Sequence, residues 1–174
     1  IYYWDTSAGV TNRAVLVSSL AGADDVPAVS RVTTVSFPDR HFITGGCTIY
    51  DQSVTDDMLI RWSSQEEFTK FAPTATNTAG DQRLEVGTKI VAMTAAREET
   101  IISTDEAIYG MTFVGGSFVF SFRLLATDSG AAGLNTMVSV DGDVYWMGER
   151  NFFNYNGVVS EMPCPVQYYV FNRI

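Results

Sequence analysis

The sequence contains one histidine, and any catalytic arrangement that needs an imidazole depends on it. His41 opens the run HFITGG and follows the turn formed by residues 37–40. The chain has no GxSxG nucleophile motif, and no other catalytic pattern points to this position. A lone histidine at the start of a strand is typical of a hydrogen-bonded structural residue. We therefore predict a structural role for His41, no catalytic residues and no enzymatic activity.

Residues that commonly hold metals, phosphates or disulfides lack the spacing that these sites need. Cys47 and Cys164 have no CxxC partner, so we predict two structural thiols. The glycine pairs at 45–46 and 115–116 fit neither phosphate-binding pattern, GxxxxGK[ST] or GxGxxG. The acidic loop groups lack the alternating ligands of a calcium loop. We expect no metal-binding or cofactor-binding residues.

Tryptophans are the remaining candidates for ligand contact, because indole rings stack on sugars. Trp4 and Trp62, however, align with Met111 and Tyr155 in a repeat that is separated by 58, 49 and 44 residues. Large residues that recur at one position of a repeat are typical of a core. We predict that all four are core positions. The SxDxGxTW box of sialidase-type propellers is absent.

Strand signals dominate the rest of the chain, as short runs of β-branched and aromatic residues between turn residues. Residues 135–162 predict four antiparallel strands, MVSV, DVYWM, FFNY and VVSEM. The pairs Asp141-Gly142 and Asn156-Gly157 separate strands within this unit and favour type I′ turns. The best helical signal is SSQEEFTKF, where the spacing of a serine and a glutamate fits a capping box. This segment, residues 63–71, predicts a loop with a short helix.

The repeat predicts the architecture. TDEAIYGM, residues 104–111, matches GERNFFNY, residues 148–155, in the order of residue types. Four-stranded units with a period of about 40–50 residues indicate propeller blades, because one meander cannot cover both of its faces. A generic β-sandwich is the alternative fold.

We predict one all-β region over residues 1–174. It is a propeller-like array of four-stranded antiparallel meanders and a segment of a larger ring. The open start IYYWDTSAGV leads us to expect further chain outside this stretch. The expected units are approximately 1–35 as a partial blade, then 36–75, 89–126 and 135–162, with 163–174 beginning a further element.

Charge and hydropathy exclude two classes of partner. Eleven basic and twenty acidic residues give a net charge of −9 and a pI near 4.4. Tight nucleic-acid binding needs clustered basic residues that displace phosphate counterions, so we do not expect it. No window approaches the roughly 18 uninterrupted apolar residues of a membrane span, so we expect no membrane partner.

Several stretches resemble one family. They are LIRWSSQEEFTKFAPTATNTAGDQRLEVGTKIVA at 59–92, ETIISTDEAIYGMTFVG at 99–115, VYWMGERNFFNYNG at 144–157 and PCPVQYYVF at 163–171. This succession resembles the tail hub, or packaged-DNA stabilisation, proteins of short-tailed bacteriophages, which are nozzle-type structural proteins. RWS…APTATNTAGD and YWMG…FxYNG are its most specific pieces.

The resemblance implies a structural virion protein in the phage tail, assembled in the host cytoplasm. Its partners would be copies of itself in a ring, the portal or adaptor, and the distal tail proteins. Double-stranded DNA would pass through the channel without sequence-specific binding and be retained until ejection. An acidic wall would fit such a conduit, because it repels phosphate.

Two other functions stay open at this point. One is a propeller-type module that binds or cleaves glycans at a host surface, which would require acidic and aromatic residues at one mouth of the ring. The other is a host-encoded β-rich interaction module without a ring.

Overall fold

The structure is a computed structural model that describes residues 1–116 and 118–173. These residues form an all-β chain with one short α-helix and two single-turn 3-10 helices, Thr6–Ala8 and Val17–Ser19, so the predicted all-β class is confirmed. In chain order the elements are β1 Tyr2–Tyr3, β2 Val15–Leu16, β3 Ser30–Val35, β4 Phe42–Thr48, β5 Thr55–Trp62, β6 Gly80–Arg83, β7 Ile90–Ala95, β8 Thr100–Thr104, β9 Ala107–Phe113, β10 Phe120–Thr127, β11 Met137–Val140, β12 Asp143–Met147, β13 Phe152–Tyr155, β14 Val159–Met162 and helix α1 Gln167–Arg173.

Twelve of the strands form three four-stranded antiparallel meanders, each built from consecutive strands. We call them the first sheet (β3–β6), the second sheet (β7–β10) and the third sheet (β11–β14). β1 and β2 form a separate two-stranded ribbon. The four-stranded antiparallel units predicted from sequence are therefore present.

The sheets differ from the predicted units most in the first sheet. It spans residues 30–83 rather than 36–75, whereas the second and third sheets span 90–127 and 137–162. β6 has the polar sequence GDQR and is largely exposed, so it lacks the apolar signal of a strand. It pairs with β5 along the edge of the sheet, where exposed polar residues are tolerated.

The two predicted hairpin turns differ from each other. Val140 pairs with Asp143, which leaves a two-residue loop with φ values of 53° and 91°, as a type I′ turn requires. Tyr155 pairs with Val159, so the second loop contains three residues, 156–158, and only its glycine has a positive φ. The type I′ prediction for Asn156-Gly157 is wrong. Pairing Val159 with Tyr155 turns both toward the core and leaves residue 158 outside the strand.

The predicted short helix in residues 63–71 is also absent. Glu66 has a φ of 60°, in the left-handed region, which stops a right-handed helical turn. The Ser63 hydroxyl accepts the backbone N–H of Phe42 at 3.0 Å and donates to the carbonyl of Ser64, so it ties this loop to β4 instead of capping a helix. Within 163–174, the predicted further element contains α1; Ile174 lies outside the described residues.

The three sheets stack face to face, and the two interfaces form the two hydrophobic clusters. The first cluster joins the first sheet to the second, and the other joins the second sheet to the third. Alternation along β8 places Ile101 in the interface with the third sheet and Ile102 in the interface with the first. The first strands of the sheets, β3, β7 and β11, lie beside one another. The second sheet is therefore buried on both faces.

Candidate functional site

A buried polar network surrounds the only histidine. The His41 side chain is completely buried, and its Nδ1 lies 2.9 Å from Asp39 Oδ2. Its Nε2 lies 3.1 Å from the hydroxyl oxygen of Thr78, in the loop between β5 and β6. Ser36 closes the network, because its hydroxyl donates to Asp39 Oδ2 and accepts the backbone N–H of His41. The network joins two chain segments, residues 36–41 and the loop before β6, at the entrance to β4.

The chemistry of the network favours a neutral imidazole. In the neutral imidazole with its proton on Nδ1, Nδ1–H donates to the carboxylate of Asp39 and Nε2 accepts the hydroxyl hydrogen of Thr78. The rings of Phe113 and Phe120 contact the imidazole from the second sheet, with centroids 5.4 and 4.9 Å away. Burial lowers the pKa of His41, and the carboxylate of Asp39 opposes this shift only in part.

An aspartate, a histidine and a hydroxyl in this order have the connectivity of a catalytic triad. The hydroxyl oxygen of Thr78, however, also accepts the backbone N–H of Gln65 at 2.8 Å. Both ring nitrogens of His41 and the hydroxyl are thus engaged within the protein. This arrangement fits the structural role predicted for His41.

A second polar cluster joins the second and third sheets. The Tyr155 hydroxyl donates to a carboxylate oxygen of Glu99, and Arg123 lies 3.4 Å from the other oxygen of that carboxylate. Burial, with the carboxylate of Glu99 beside it, raises the pKa of Tyr155 to about 12. Gly110 lies directly under the carboxylate, where a Cβ atom would overlap it. The sequence prediction placed Tyr155 in the core but missed this partner, which is 56 residues away in the chain.

A third cluster, also missed from sequence, surrounds a buried arginine. Arg61 is 1% exposed and donates to Asp25 Oδ2 at 2.5 Å. The same guanidinium donates to the carbonyl oxygens of Asp25, Thr48 and Phe71, at 3.1 to 3.2 Å. It therefore anchors the segment that precedes β3 onto the outer face of the first sheet. No sequence pattern predicts this buried cluster, because arginine at a strand position normally indicates an exposed face.

Three of the four predicted core positions are buried. Trp62, Met111 and Tyr155 are 6%, 1% and 5% exposed. Trp4 is 44% exposed, so its assignment to the core is wrong. The physical reason is that it follows β1, which pairs only with β2 in a two-stranded ribbon and has no third and fourth strand to form a covered face.

The structure also corrects the register of the repeat. Equivalent positions are defined by a residue near the start of the second strand of each sheet, on the face that points toward the next sheet along the chain, and by its cross-strand partner. The equivalent pairs are Ile43–Trp62, Ile101–Gly110 and Tyr145–Asn154. Trp62 therefore faces the following sheet, whereas Met111 and Tyr155 face the preceding one. The predicted alignment was wrong by one residue, and a shift of one residue moves a strand side chain to the other face.

The predicted structural thiols are not paired with each other. Both cysteines are free; Cys47 is buried in β4 and Cys164 is half-buried near α1. Burial raises the pKa of the Cys47 thiol to about 11. A thiol with this pKa is a poor nucleophile at neutral pH, so Cys47 acts as a small core residue.

The outer face of the third sheet is mostly apolar and only partly covered. We call it the open face. Its side chains alternate with those that face the second sheet. Val138 and Val140 are about half exposed, and Tyr145 is half-buried. From α1, Phe171 contacts Phe152 at a centroid distance of 5.3 Å and covers one end of the face.

A groove of about 530 Å³ lies at the outer side of the first sheet. Tyr2, Tyr3, Phe42 and Phe68 line it with aromatic rings. The ion pair between Arg40 and Glu66 also contributes to its wall.

The described residues contain no group of three or more histidine, cysteine or acidic side chains that could hold a metal ion. Over the same part of the chain, no helix has the length and apolarity to cross a membrane. In comparisons with known proteins, no family model matches the chain, and no curated protein is significantly similar to it.

Proposed function

We propose that this chain is a structural assembly module of a phage tail, a propeller-like segment of the tail hub or nozzle. It would join the head-to-tail adaptor to the distal tail as part of a homo-oligomeric ring around the DNA channel. The assignment to a phage tail is supported by the resemblance of residues 59–92 and 144–157 to that family. The assembly role is supported by the geometry of the sheets.

The observation that carries the assembly role is the open face. Its central residue, Tyr145, is equivalent to Ile43 in the first sheet and Ile101 in the second. Both isoleucines are completely buried by the next sheet along the chain. The third sheet thus presents, only partly covered, the same face that its two neighbours use for stacking. Exposed apolar surface of this kind marks interaction sites.

The neighbouring positions of β3, β7 and β11 support a propeller-like arrangement. In a propeller the blades are arranged radially around a central channel, so equivalent strands of successive blades lie near one another. These three strands carry a single charged residue, Arg31, which pairs with Asp57 at 2.8 Å. A channel wall made by them would be close to neutral rather than acidic. DNA would slide because phosphates meet few fixed charges, and the expected acidic wall is not part of this proposal.

Purified phage particles provide the test of location. We expect quantitative mass spectrometry to find this chain at a fixed, multi-copy ratio to the portal protein, and antibody labelling to place it in the tail. Absence of the chain from purified particles would contradict the proposal.

Cysteine labelling tests the open face separately. In a Cys164→Ser background, Val138→Cys on the open face should react with a maleimide in the isolated chain and be protected in the assembled tail. Val10→Cys is the matched control, because Val10 is 86% exposed and belongs to the loop between β1 and β2. Equal labelling of both positions in the assembled tail would contradict an assembly role for the open face.

A second candidate function is glycan binding, and the aromatic groove favours it. Tyr and Phe rings with adjacent charged groups can stack on sugars and hydrogen-bond to hydroxyl groups. The site would be this groove and not Trp62, whose ring is buried and whose Nε1–H donates to the carbonyl of Thr78 at 2.8 Å. A glycan array with the wild type and Tyr3→Ala tests it: binding lost in the variant would support this function, and no binding by the wild type would dismiss it.

A further inference from the structure

We propose that His41 is the trigger of an acid-sensitive contact at the junction of the first and second sheets, and that its protonation releases segment 72–79. This inference is independent of the phage-tail assignment. It rests on the position of the ring, on its partners and on the absence of a second histidine in the sequence.

The ring sits where an added proton has a large effect. His41 is completely buried, with the rings of Phe113 and Phe120 against it from the second sheet. Removing a charge from water costs free energy unless partners compensate for it. Asp39 supplies one such partner from the same loop as His41.

The other elements packed against the ring bring no charge to it. Segment 64–79 contributes the hydroxyl of Thr78 and, behind it, the backbone amide of Gln65. The second sheet contributes the two phenylalanine rings. Asp39 is therefore the one charged side chain that contacts the imidazole among the described residues, and its carboxylate is shared with the hydroxyl of Ser36.

Protonation reverses the hydrogen bond to segment 72–79. In the neutral state Nε2 accepts the hydroxyl hydrogen of Thr78. In the charged state Nε2–H donates, so the hydroxyl oxygen must accept this hydrogen in addition to that of the Gln65 amide, and its own hydrogen must turn away. The hydroxyl can accept both hydrogens, but the charged ring stays buried while segment 72–79 is closed. Opening of the segment brings water to the imidazolium, so protonation favours the open state.

Trp62 contacts both segment 72–79 and the second sheet, so its fluorescence should respond when the segment moves. Its Nε1–H donates to the carbonyl of Thr78, and its ring packs against Phe120 at a centroid distance of 5.2 Å. Movement of segment 72–79 removes this acceptor and opens the edge of the indole to solvent. The result is local and does not require unfolding of the sheets, since opening of single segments is common below the global transition.

The sign of the pH dependence follows from the lowered pKa of His41, whose cause is burial. The folded protein binds fewer protons at this site than the unfolded chain does between the lowered value and the ordinary value of 6.5. The contact is therefore fully formed above about pH 6.5. It weakens as the pH falls through 6.5 and toward the lowered value.

Hydrogen exchange on the full chain, at about pH 7.5 and about pH 5 and corrected for intrinsic rates, tests the proposal. We expect protection of segment 72–79 to fall about tenfold at acid pH, which is the effect of losing one hydrogen bond. Peptides covering β13 should keep their protection and serve as the internal control. Equal protection of segment 72–79 at both pH values in the wild type would overturn the proposal.

Two variants separate the trigger from a general effect of acid. His41→Gln cannot titrate, so the difference between the two pH values should disappear; persistence of the difference would overturn the role of His41. Thr78→Val keeps the imidazole and removes the hydroxyl, so segment 72–79 should be weakly protected at both pH values. A wild-type response in Thr78→Val would show that the release does not pass through this hydroxyl.

Nuclear magnetic resonance of the wild type gives a result even where a variant fails to fold. The chain has a single histidine, so its ring signals need no assignment by mutation. We expect a titration midpoint below 6.5, and the tryptophan fluorescence should change with the same midpoint. A midpoint at or above the ordinary value would overturn the proposal.

Discussion

At the scale of single residues, three buried polar side chains hold loops and sheets together. Arg61 anchors the segment before β3, His41 links two loops to the second sheet, and Tyr155 joins the second and third sheets. Each of them has several partners, as buried polar groups require. Removing one partner leaves the others buried and unsatisfied, so the effects of mutation should be large and local.

Asp25→Ala should destabilise the protein by about 3 kcal/mol, because it leaves the buried guanidinium of Arg61 without its counter-charge. Urea unfolding followed by circular dichroism measures the change. Asp57→Ala is the matched control, since Asp57 pairs with Arg31 while both side chains are about half exposed. It should change the free energy of unfolding by less than about 1 kcal/mol. A loss of stability in Asp25→Ala as small as that in Asp57→Ala would show that Arg61 does not require the Asp25 carboxylate.

Tyr155 should ionise with a pKa of about 12, because burial and the carboxylate of Glu99 oppose a phenolate. The test is the difference between the ultraviolet pH titrations of the wild type and Tyr155→Phe. A difference spectrum with a midpoint near the ordinary value of 10 would contradict the arrangement. The variant should also lose about 1 kcal/mol of stability, since Glu99 loses its donor.

At the scale of elements, turns and edges decide how each meander is built. The turn Asp141-Gly142 has the φ values of a type I′ turn and connects β11 to β12 directly. The loop after β13 needs one more residue, although Asn156-Gly157 carries an equally strong turn signal. The difference comes from burial, because Val159 must face the same way as Tyr155.

Gly142→Ala should destabilise the third sheet by about 1–2 kcal/mol, because a side chain is disfavoured at a φ of 91°. Its Cβ would also lie 3.1 Å from the side chain of Arg97. Gly133→Ala is the control: its φ is not positive, and its Cβ would meet Thr136 at an ordinary 3.7 Å. Thermal unfolding should show a lower midpoint for Gly142→Ala only. The same loss in both variants would indicate a general effect of replacing loop glycines.

At the scale of the whole molecule, stability comes from the stacking of sheets. The two outer faces of the stack are covered to different extents. The outer face of the first sheet is covered by the segment before β3 and by Phe71. The outer face of the third sheet has only α1 at one end. The second sheet, buried on both faces, is the centre of the structure.

Substitutions at equivalent positions of the second and third sheets should therefore reduce the free energy of unfolding by different amounts. Ile101→Ala should reduce the free energy of unfolding of the isolated chain by about 3 kcal/mol, because it leaves a cavity between the second and third sheets. Tyr145→Ala, at the equivalent position of the open face, should cost about 1 kcal/mol or less, since its partial exposure leaves little to lose. Chemical denaturation measures both. A cost for Tyr145→Ala as large as that for Ile101→Ala would mean that the open face is already covered in solution.

Much of the fold was predictable from local sequence signals. The four strands of the third sheet were predicted almost to the residue, because period-two alternation and Asp-Gly turn chemistry are local. Polar β6 was missed because an edge strand has no apolar pattern, and the helix in 63–71 was wrong because Glu66 takes a left-handed φ that its sequence does not reveal. Trp4 was misplaced because residue type does not report whether a covering sheet exists.

By itself the sequence determined the all-β class and the meander units, since both depend on residue type and short-range spacing. Only the tertiary structure decided the register of the repeat and the partners of His41, Arg61 and Tyr155. The reason is physical: a one-residue shift changes the face on which a strand residue lies, and partners tens of residues apart meet only when the sheets stack. For the same reason only the structure showed that the third sheet has an open face.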